Sequence, residues 1–144
     1  MKAFDILEKK GFQVFSISQN ASIEEAIDTL VKNNIGVLLI FDESNNLTGI
    51  LSERDIIRLI NKNKVDFLSK TVSEIMTTNI LLANIDDDIN YIENIMTTNR
   101  IRHIPIYDKN KLVGLISIGD IIKAKLSEQQ VQNKYLMDYI SGIV

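Results

Sequence analysis

Cysteine and tryptophan are absent from the sequence, and proline and histidine each occur only once. The absence of cysteine excludes disulfide bonds, thiolate metal ligands and thiol nucleophiles. A single histidine likewise excludes a metal centre that needs several imidazole ligands. Any chemistry of this protein must therefore come from carboxylates, hydroxyls, cations and backbone groups, and we expect neither a metal nor a catalytic cofactor.

Long apolar runs and a dominant charge are also missing. The longest apolar run, residues 37–41, is far shorter than the roughly 20 residues of a membrane-spanning helix. Residues 1–10 mix charged with apolar side chains and do not form a signal sequence. A net charge of −3, with acids and bases interspersed, offers no broad basic face for nucleic acid. We therefore expect a soluble cytoplasmic protein that binds neither membranes nor nucleic acid.

A weak internal repeat, with an offset of about 65 residues, organises the sequence. Three pairs of segments share one pattern of apolar and polar residues: 22–30 with 88–96, 37–42 with 103–108, and 49–55 with 114–120. A copy of about 50 residues buries too little apolar surface to offset its chain entropy. We therefore expect the two copies to pack around a pseudo-twofold axis, with a shared cleft between them.

Each copy predicts the order strand, helix, strand, strand, helix, which makes the fold class α+β (α/β). After a strand near residues 14–17, Ser22 with Glu25 three residues later marks the start of the first helix. Asp88 marks the equivalent start in the second copy. Apolar residues at helical spacing define the buried faces: Ile23, Ala26, Ile27, Leu30 and Val31 in the first copy, and Ile89, Ile92, Ile95 and Met96 in the second.

A hairpin follows the first helix of each copy. Residues 37–41 and 47–51 form one hairpin, and residues 104–107 and 112–116 form the other, because apolar runs flank turns rich in Asp, Asn and Ser. Pro105 cannot donate a ladder hydrogen bond. We therefore expect its strand to lie at a sheet edge or to begin at this residue.

Further segments complete the predicted organisation. Residues 1–11 predict a short helix that ends at Gly11, and a long helix is predicted from Ile118 to about Ile140, ending at Gly142. The predicted domains are residues 1–62 for the first repeat with its N-terminal helix, 63–70 for a linker, 71–126 for the second repeat and 127–144 for a C-terminal helical extension.

A Gly-apolar-apolar-Ser-x-x-Asp element occurs in each copy, with Ser52 and Asp55 in the first and Ser117 and Asp120 in the second. Its Ser-x-x-Asp part is the pattern of a helix N-cap with an acidic third residue, and helix stability alone explains it. The same arrangement suits a ligand, because free amides and the helix dipole attract phosphate and a carboxylate can accept from a ribose diol. The two interpretations do not exclude each other.

These segments occur in two copies and in a fixed order, and together they resemble the two cystathionine-β-synthase (CBS) domains of a standalone bacterial CBS-pair protein. The resemblance covers roughly residues 4–126 and rests on five sequence segments: residues 6–11, 49–55, 72–76, 100–105 and 114–120. It implies a module that catalyses nothing, binds AMP, ADP, ATP, NAD or S-adenosylmethionine between the repeats, and regulates a separate protein. It also implies a homodimer formed through helices, with the C-terminal helix as a further contact surface for the second copy or a partner.

The resemblance also implies roles for particular residues. Asp55 and Asp120 are expected to bind ribose hydroxyls, and Ser52 and Ser117 to lie near phosphate. Adenine is expected against the backbone of a first strand and of a hairpin entry: residues 15–17 including Ile17, residues 79–83 including Ala83, Ile35 with Gly36, and Ile101 with Arg102.

Arg100, Arg102 and His103 form a compact cationic group beside the expected cleft. Guanidinium donors suit a phosphate, although a solvated strand end also explains the group. The first copy has no such cluster, and it has Glu53 and Arg54 where the second copy has Ile118 and Gly119. We therefore expect the two sites to differ in affinity or in ligand.

Two alternative functions remain open. In the first, the Ser-x-x-Asp elements are caps only and the protein is a ligand-free structural module for dimerisation or interaction. The second, an enzyme, is disfavoured because the sequence shows no paired carboxylates, no nucleophile with a base and no metal-ligand spacing.

Overall fold

The computed structural model describes residues 1–142, which form six helices and six strands. In chain order these are α1 Ala3–Lys10, β1 Ser16–Ser18, α2 Ile23–Asn33, β2 Val37–Phe41, β3 Leu47–Ser52, α3 Glu53–Lys62, α4 Val72–Ile75, β4 Ala83–Asn84, α5 Ile89–Asn99, β5 His103–Asp108, β6 Lys111–Ser117 and α6 Ile118–Ile140. Ile143 and Val144, the last residues of the predicted C-terminal extension, lie outside the described residues.

The strands form two three-stranded sheets, in the orders β1-β2-β3 and β4-β5-β6. In each sheet the first strand runs parallel to the central strand, and the third strand runs antiparallel to it. Each repeat therefore has the order β-α-β-β-α, and the predicted α/β fold class is confirmed.

The chain divides into two compact units. The first unit comprises residues 14–81, with β1 to β3 and α2 to α4. The second unit comprises residues 1–13 and the chain from residue 82 onward, with α1, β4 to β6, α5 and α6. Helix α1 thus belongs with the second repeat, whereas the boundaries predicted from the sequence group it with the first. The boundaries after residues 62, 70 and 126 remain a proposal.

Two close contacts at glycines explain which segment packs on which sheet. A Cβ atom on Gly114 of β6 would lie 2.7 Å from Cδ2 of Leu7 in α1. A Cβ atom on Gly49 of β3 would lie 2.5 Å from Sδ of Met76, which follows α4. Because only glycine leaves room for such an approach, each hairpin accepts an apolar side chain from the segment that precedes the other repeat.

Each unit has its own apolar core between helices and sheet. In the first unit, α2 buries Ile23 and Leu30 against a group that includes Leu38, Ile40 and Leu51. The second core is also formed by buried aliphatic side chains and one methionine: Leu7, Ile89, Ile92, Met96, Ile104, Ile106, Ile116 and Ile121. Burial of one Leu or Ile side chain contributes about 1.5–3 kcal/mol, so these layers fix the position of the helices on the sheets.

Val31 does not belong to the buried face of α2, contrary to the prediction. Its side chain is 75% exposed, whereas that of Leu30 is 6% exposed. Successive helix residues are about 100° apart, and Leu30 already covers the side that faces the sheet. The helix ends soon afterwards at Asn34, which has left-handed backbone angles.

Pro105 lies neither at a sheet edge nor at the start of its strand, so that prediction is wrong. It is the third residue of β5, the central strand of the second sheet. In the first repeat the equivalent Leu39 donates its N–H to the Phe15 carbonyl oxygen at 3.0 Å. Pro105 lacks this donor, and β4 accordingly pairs only with Ile106 and Tyr107. A short neighbouring strand therefore allows a central strand to contain proline.

Helix α6 runs from Ile118 to Ile140, as predicted, and is about 35 Å long at about 1.5 Å per residue. Its first turns pack on the second unit through the buried Ile121. Most side chains beyond Ser127 are exposed. No helix within residues 1–142 combines the length and the apolar character that a membrane crossing requires.

Candidate functional site

Ser52 and Asp55 form a reciprocal cap at the amino end of α3 in the first unit. The Asp55 N–H donates to Ser52 Oγ at 3.3 Å, and the Ser52 N–H donates to Asp55 Oδ2 at 2.8 Å. The Ser52 hydroxyl also donates to Asp55 Oδ2, at 3.0 Å. Within residues 1–142 no hydrogen bond reaches Asp55 Oδ1, so this oxygen retains acceptor capacity for a ligand hydroxyl.

Ser117 and Asp120 repeat this cap at the amino end of α6 in the second unit. The Asp120 N–H donates to Ser117 Oγ at 3.1 Å, and the Ser117 N–H donates to Asp120 Oδ2 at 2.8 Å. Lys10 of α1 also reaches this carboxylate, with Nζ 2.6 Å from Asp120 Oδ2. The same ammonium donates to the Leu115 carbonyl oxygen at 2.8 Å. An ammonium has three donors, so one N–H of Lys10 remains for a further acceptor.

Asp120 is held in its ionised form. Burial alone raises the pKa of its carboxyl group, but the hydrogen bonds from Lys10 and from the Ser117 N–H more than offset burial. The pKa therefore lies below its ordinary value of 3.8. An ionised carboxylate only accepts hydrogen bonds, and this is the property needed to bind a pair of sugar hydroxyls.

His103 lies beside the second cap, because it pairs with Ser117 across β5 and β6. Burial lowers the pKa of its imidazole below 6.5, and the charges of Lys10 and Arg102 act in the same direction, whereas Asp120 opposes them. His103 is therefore predominantly neutral at neutral pH. It offers a ligand one donor and one acceptor instead of a fixed charge.

The predicted cationic group is divided by the fold. The Arg102 carbonyl oxygen accepts the Ile118 N–H at 2.8 Å, so Arg102 and His103 adjoin the first turn of α6. Arg100 instead ends α5, with a left-handed φ of 55°. Ile101 packs against the second core, which leaves mainly its backbone for a ligand.

The first unit has a different set of side chains at the equivalent place. The Gly36 carbonyl oxygen accepts the Glu53 N–H at 3.0 Å. The Glu53 carboxylate rests on Gly36, since a Cβ atom there would lie 3.4 Å from Glu53 Cδ. Ile35 packs against the first core. Gly36 thus adjoins the amino end of α3, with Ile35 next to it in the chain, but a carboxylate lies on Gly36.

Ile17 and Ala83 lie farther from the caps than the other predicted residues. Ile17 pairs with Ile40, three residues along β2 from Val37, the partner of Ser52. Three strand residues span about 10 Å. Ala83 occupies the equivalent position in the second sheet, and its side chain is 6% exposed. Both side chains face the cores, so these residues can offer a ligand little besides their backbone.

A shallow depression of about 380 Å³ adjoins Asp55 in the first unit. It lies between α3 and the segment around α4, and charged side chains dominate its lining: Arg58, Lys62, Lys70 and Glu74. We did not predict this feature, because the residues are isolated charges in a sequence where charges are common.

Lys10 is the site residue that the sequence did not reveal. It lies in a segment that resembles the family, but 110 positions separate it from Asp120. No local spacing connects the two residues. The only available signal would have been the knowledge that α1 packs on the second repeat.

The arrangement is that of a binding module. Each unit presents a helix amino end, a capping hydroxyl and a carboxylate whose Oδ1 accepts no hydrogen bond from residues 1–142. Within residues 1–142 no group of three or more His, Asp or Glu side chains could hold a metal ion. In both caps the hydroxyl accepts the N–H of the Asp residue, and the Asp carboxylate accepts the N–H of the Ser residue, which is the geometry of a structural cap.

A family comparison agrees with this class. The model of the CBS domain family matches residues 3–62 and 72–127. The chain therefore belongs to the CBS domain family and contains a CBS domain pair, which is a regulatory module.

Solved structures resemble the chain over most of its length. The CBS-domain containing protein ATU1752 from Agrobacterium tumefaciens is 33% identical, with a TM-score of 0.84 over 86% of this chain and 92% of that chain. The CBS domain pair of protein MJ0100, in complex with 5′-methylthioadenosine and S-adenosyl-L-methionine, is 30% identical, with a TM-score of 0.74 over 89% of this chain and 98% of that chain. Protein PAE2072 from Pyrobaculum aerophilum, complexed with AMP, is 27% identical, with a TM-score of 0.74 over 83% of this chain and 89% of that chain.

Proposed function

We propose that this protein is a non-catalytic sensor that binds an adenine nucleotide, AMP, ADP, ATP or NAD, at its two capped helix ends. The observation that carries the proposal is the pair of matched caps, in which Asp55 and Asp120 each keep one carboxylate oxygen free. Similar CBS pairs hold AMP or S-adenosyl-L-methionine with 5′-methylthioadenosine, which supports an adenosine compound as the ligand.

Each cap supplies complementary groups to such a ligand. The free Oδ1 atoms of Asp55 and Asp120 accept from the ribose hydroxyls, and the amino ends of α3 and α6 attract a phosphate or another electronegative group. The backbone near Ile35 and Ile101 provides a flat, partly apolar surface for the base. No bond of the ligand is broken in this function, and no catalytic cofactor is needed.

We propose that the module lies in the cytoplasm and regulates a separate protein there. A bound nucleotide can regulate another protein only if it binds two states of the module with different affinities. The ligand would therefore change the population of one state, and the partner would recognise that state. A ligand-free structural module is the alternative, and it predicts that no adenosine compound binds.

We also propose that the protein is a homodimer in which α6 contacts α6 of the second copy. Six exposed residues, here called the outer stripe, recur on α6 at alternating spacings of four and three: Ile122, Leu126, Gln129, Asn133, Leu136 and Ile140. This spacing is the seam of a coiled coil. The four apolar members are 51%, 54%, 54% and 76% exposed, whereas Ile121, about 100° around the helix from Ile122, is buried. A second copy offers the same stripe, which satisfies the self-complementarity of a twofold interface.

Native mass spectrometry of the purified full-length chain tests both parts. We expect a mass of two chains, with an added mass of an adenosine compound that is released on denaturation. A ligand-free dimer that also fails to bind added AMP, ADP, ATP and NAD would support the structural alternative.

A further inference from the structure

Helix α6 continues well past the residues that pack on its own unit. Near its start Ile121 is buried in the second core, and Lys125 forms an ion pair with Glu93 of α5. Residues 128–140, here called the distal half, lie beyond the second CBS domain. Every side chain of the distal half except that of Asp138 is exposed. About 20 Å of helix therefore has little to pack on within the described chain.

Two exposed tyrosines continue the face of α6 that packs on its own unit. Tyr139 follows Ile121 by five helical turns, at 3.6 residues per turn, so both side chains lie on the same side of the helix. Tyr135 lies about 40° from that direction, towards the side of Ala124, which packs against the second core. The side chains of Tyr135 and Tyr139, here called the tyrosine pair, are 61% and 68% exposed. They form a packing face that no surface within residues 1–142 covers.

The outer stripe of α6 has nearly the same pattern when it is read in either direction. Its members are Ile122, Leu126, Gln129, Asn133, Leu136 and Ile140, with spacings of four, three, four, three and four. In an antiparallel pair centred on residue 131, apolar members meet apolar members at both ends, and Gln129 meets Asn133 in the middle. Two side-chain amides can hydrogen-bond to each other, which avoids an unpaired polar group in the interface. A parallel pair also matches the stripe to itself, so the stripe alone permits both directions.

The tyrosine pair distinguishes the two directions. In a parallel pair both distal halves project away from the second units, and the tyrosines stay exposed. In an antiparallel pair each distal half runs beside the first turns of the other α6, where the second unit of the other copy lies. A twofold axis normal to both helices places the two units on one side of the pair, and the tyrosine pair faces this side because it shares the direction of Ile121. Only the antiparallel direction therefore covers the tyrosine pair.

Burial of the tyrosines adds area that the outer stripe lacks. The stripe spans less than three heptads from Ile122 to Ile140, and its two central members are polar, so it offers few apolar layers. The four tyrosines of a dimer have on the order of 500 Å² available for burial, a useful share of the roughly 1,200–2,000 Å² of a stable interface. Tyrosine also suits the edge of an interface, because its ring packs while its hydroxyl stays in water.

We propose that the distal half of α6 packs on the second copy of the chain. The two α6 helices pair in antiparallel directions, centred on residue 131, and the tyrosine pair of each chain packs on the second unit of the other. This inference rests on the homodimer proposed above, because it defines the direction of the same helix pair. The exchange is reciprocal and closed, so assembly stops at two copies.

Cysteine cross-linking of the full-length chain determines the direction of the helices, since the natural sequence contains no cysteine. With Leu136→Cys alone, the two thiols are about 15 Å apart along the antiparallel pair but adjacent in a parallel pair. A disulfide requires Cα atoms within about 7 Å. We expect no cross-link from Leu136→Cys. We expect the Leu126→Cys/Leu136→Cys variant to form a link between position 126 of one chain and position 136 of the other, identified by peptide mass spectrometry.

Analytical ultracentrifugation of Tyr139→Glu determines whether the tyrosine pair belongs to the interface. We expect the dissociation constant of the dimer to rise about tenfold or more, because the variant buries an unpaired charge. Tyr135→Ser, which removes area and adds no charge, should change it in the same direction. Val131→Glu is the control and should leave it nearly unchanged, because Val131 is 69% exposed and lies opposite the outer stripe. Circular dichroism checks that all variants fold.

The outcomes separate this inference from the proposed homodimer. A wild type that is monomeric in ultracentrifugation would make both wrong. A dimer that Leu136→Cys alone cross-links would be parallel, and only the direction inferred here would be wrong. Equal dissociation constants for Tyr139→Glu and Val131→Glu would place the tyrosine pair outside the interface and would likewise overturn this inference. Nucleotide binding is measured separately, so none of these results decides it.

Discussion

The Lys10 ammonium and the Asp120 carboxylate form an ion pair of 2.6 Å that connects α1 to the amino end of α6. This pair exists only because α1, which begins the chain, packs on the sheet of the second repeat through Leu7. In the first unit Asp55 has no ion-pair partner within residues 1–142. The two repeats therefore share a backbone and differ in the charge around their caps.

Lys10→Met should destabilise the protein by about 1 kcal/mol at pH 7. The side chains of Lys10 and Asp120 are 35% and 23% exposed, so solvent screening reduces the energy of the pair well below that of a buried one. Because the pKa of Asp120 is lowered from 3.8, its contribution is present above pH 3.8 and is lost as the pH falls through the lower folded value. Urea unfolding between pH 7 and pH 2 measures the difference from wild type.

Lys9→Met is the matched control, because Lys9 is the exposed neighbour on the same helix. An equal loss of stability in both variants would show that the ion pair contributes nothing. A difference that persists unchanged down to pH 2 would show that Asp120 is not the partner that matters.

His103 should make wild-type stability depend on pH near neutrality. Its pKa is lowered from 6.5 by burial and by neighbouring cations, so the unfolded chain binds the proton more strongly than the folded protein. Stability is then fully present above pH 6.5 and declines as the pH falls towards the folded value. The His103→Gln variant should lack this decline in thermal unfolding between pH 8 and pH 5. Parallel profiles for the two proteins would contradict the burial of a neutral imidazole.

Gly114→Ala should destabilise the second unit by about 1–3 kcal/mol, because the new methyl group overlaps the buried side chain of Leu7. Gly119→Ala is the contrasting variant, since its methyl group would lie 3.6 Å from Ser117 Oγ, an ordinary contact. Alanine is also the better helix former, so Gly119→Ala should be neutral or stabilising by up to about 1 kcal/mol. Denaturant midpoints of the two variants check the order, and equal midpoints would refute the close contact of α1 with β6.

Leu136→Glu should convert the proposed dimer into a monomer without loss of the fold, because it places a charge in the outer stripe of α6. Val131→Glu is the matched control, since Val131 is 69% exposed on another side of the same helix. Analytical ultracentrifugation measures both. Dissociation by Val131→Glu alone would assign the interface to the other face of α6.

Local signals made much of the fold predictable. A Ser followed three residues later by an acidic side chain predicts a cap from a single turn of chain, and this pattern gave the correct starts of α2, α3 and α6. The hairpins were equally predictable from the sequence, because the apolar pattern of the strands and the residues of the turn are local signals that extend over a few positions. The predicted ligand roles of the capping residues remain predictions, since a cap that only stabilises a helix has the same sequence.

Contacts between distant segments were not predictable. The location of α1 depends on Leu7 fitting over Gly114, and neither residue alone indicates the other. Pro105 violates the rule for central strands because the neighbouring strand is short, which is a property of β4 and not of the proline. Lys10 could not be predicted as a site residue for the same reason, because its partner Asp120 is defined only once α1 has packed on the second repeat.

Calorimetric titration of AMP into the wild-type protein and the Asp55→Ala/Asp120→Ala double variant is the most direct test of the central claim. The account predicts that the wild type binds AMP, and that the double variant keeps its circular dichroism spectrum and cooperative unfolding but releases no heat of binding. Equal binding by the two proteins would show that the capped helix ends are structural only, and the proposed sensing function would be wrong.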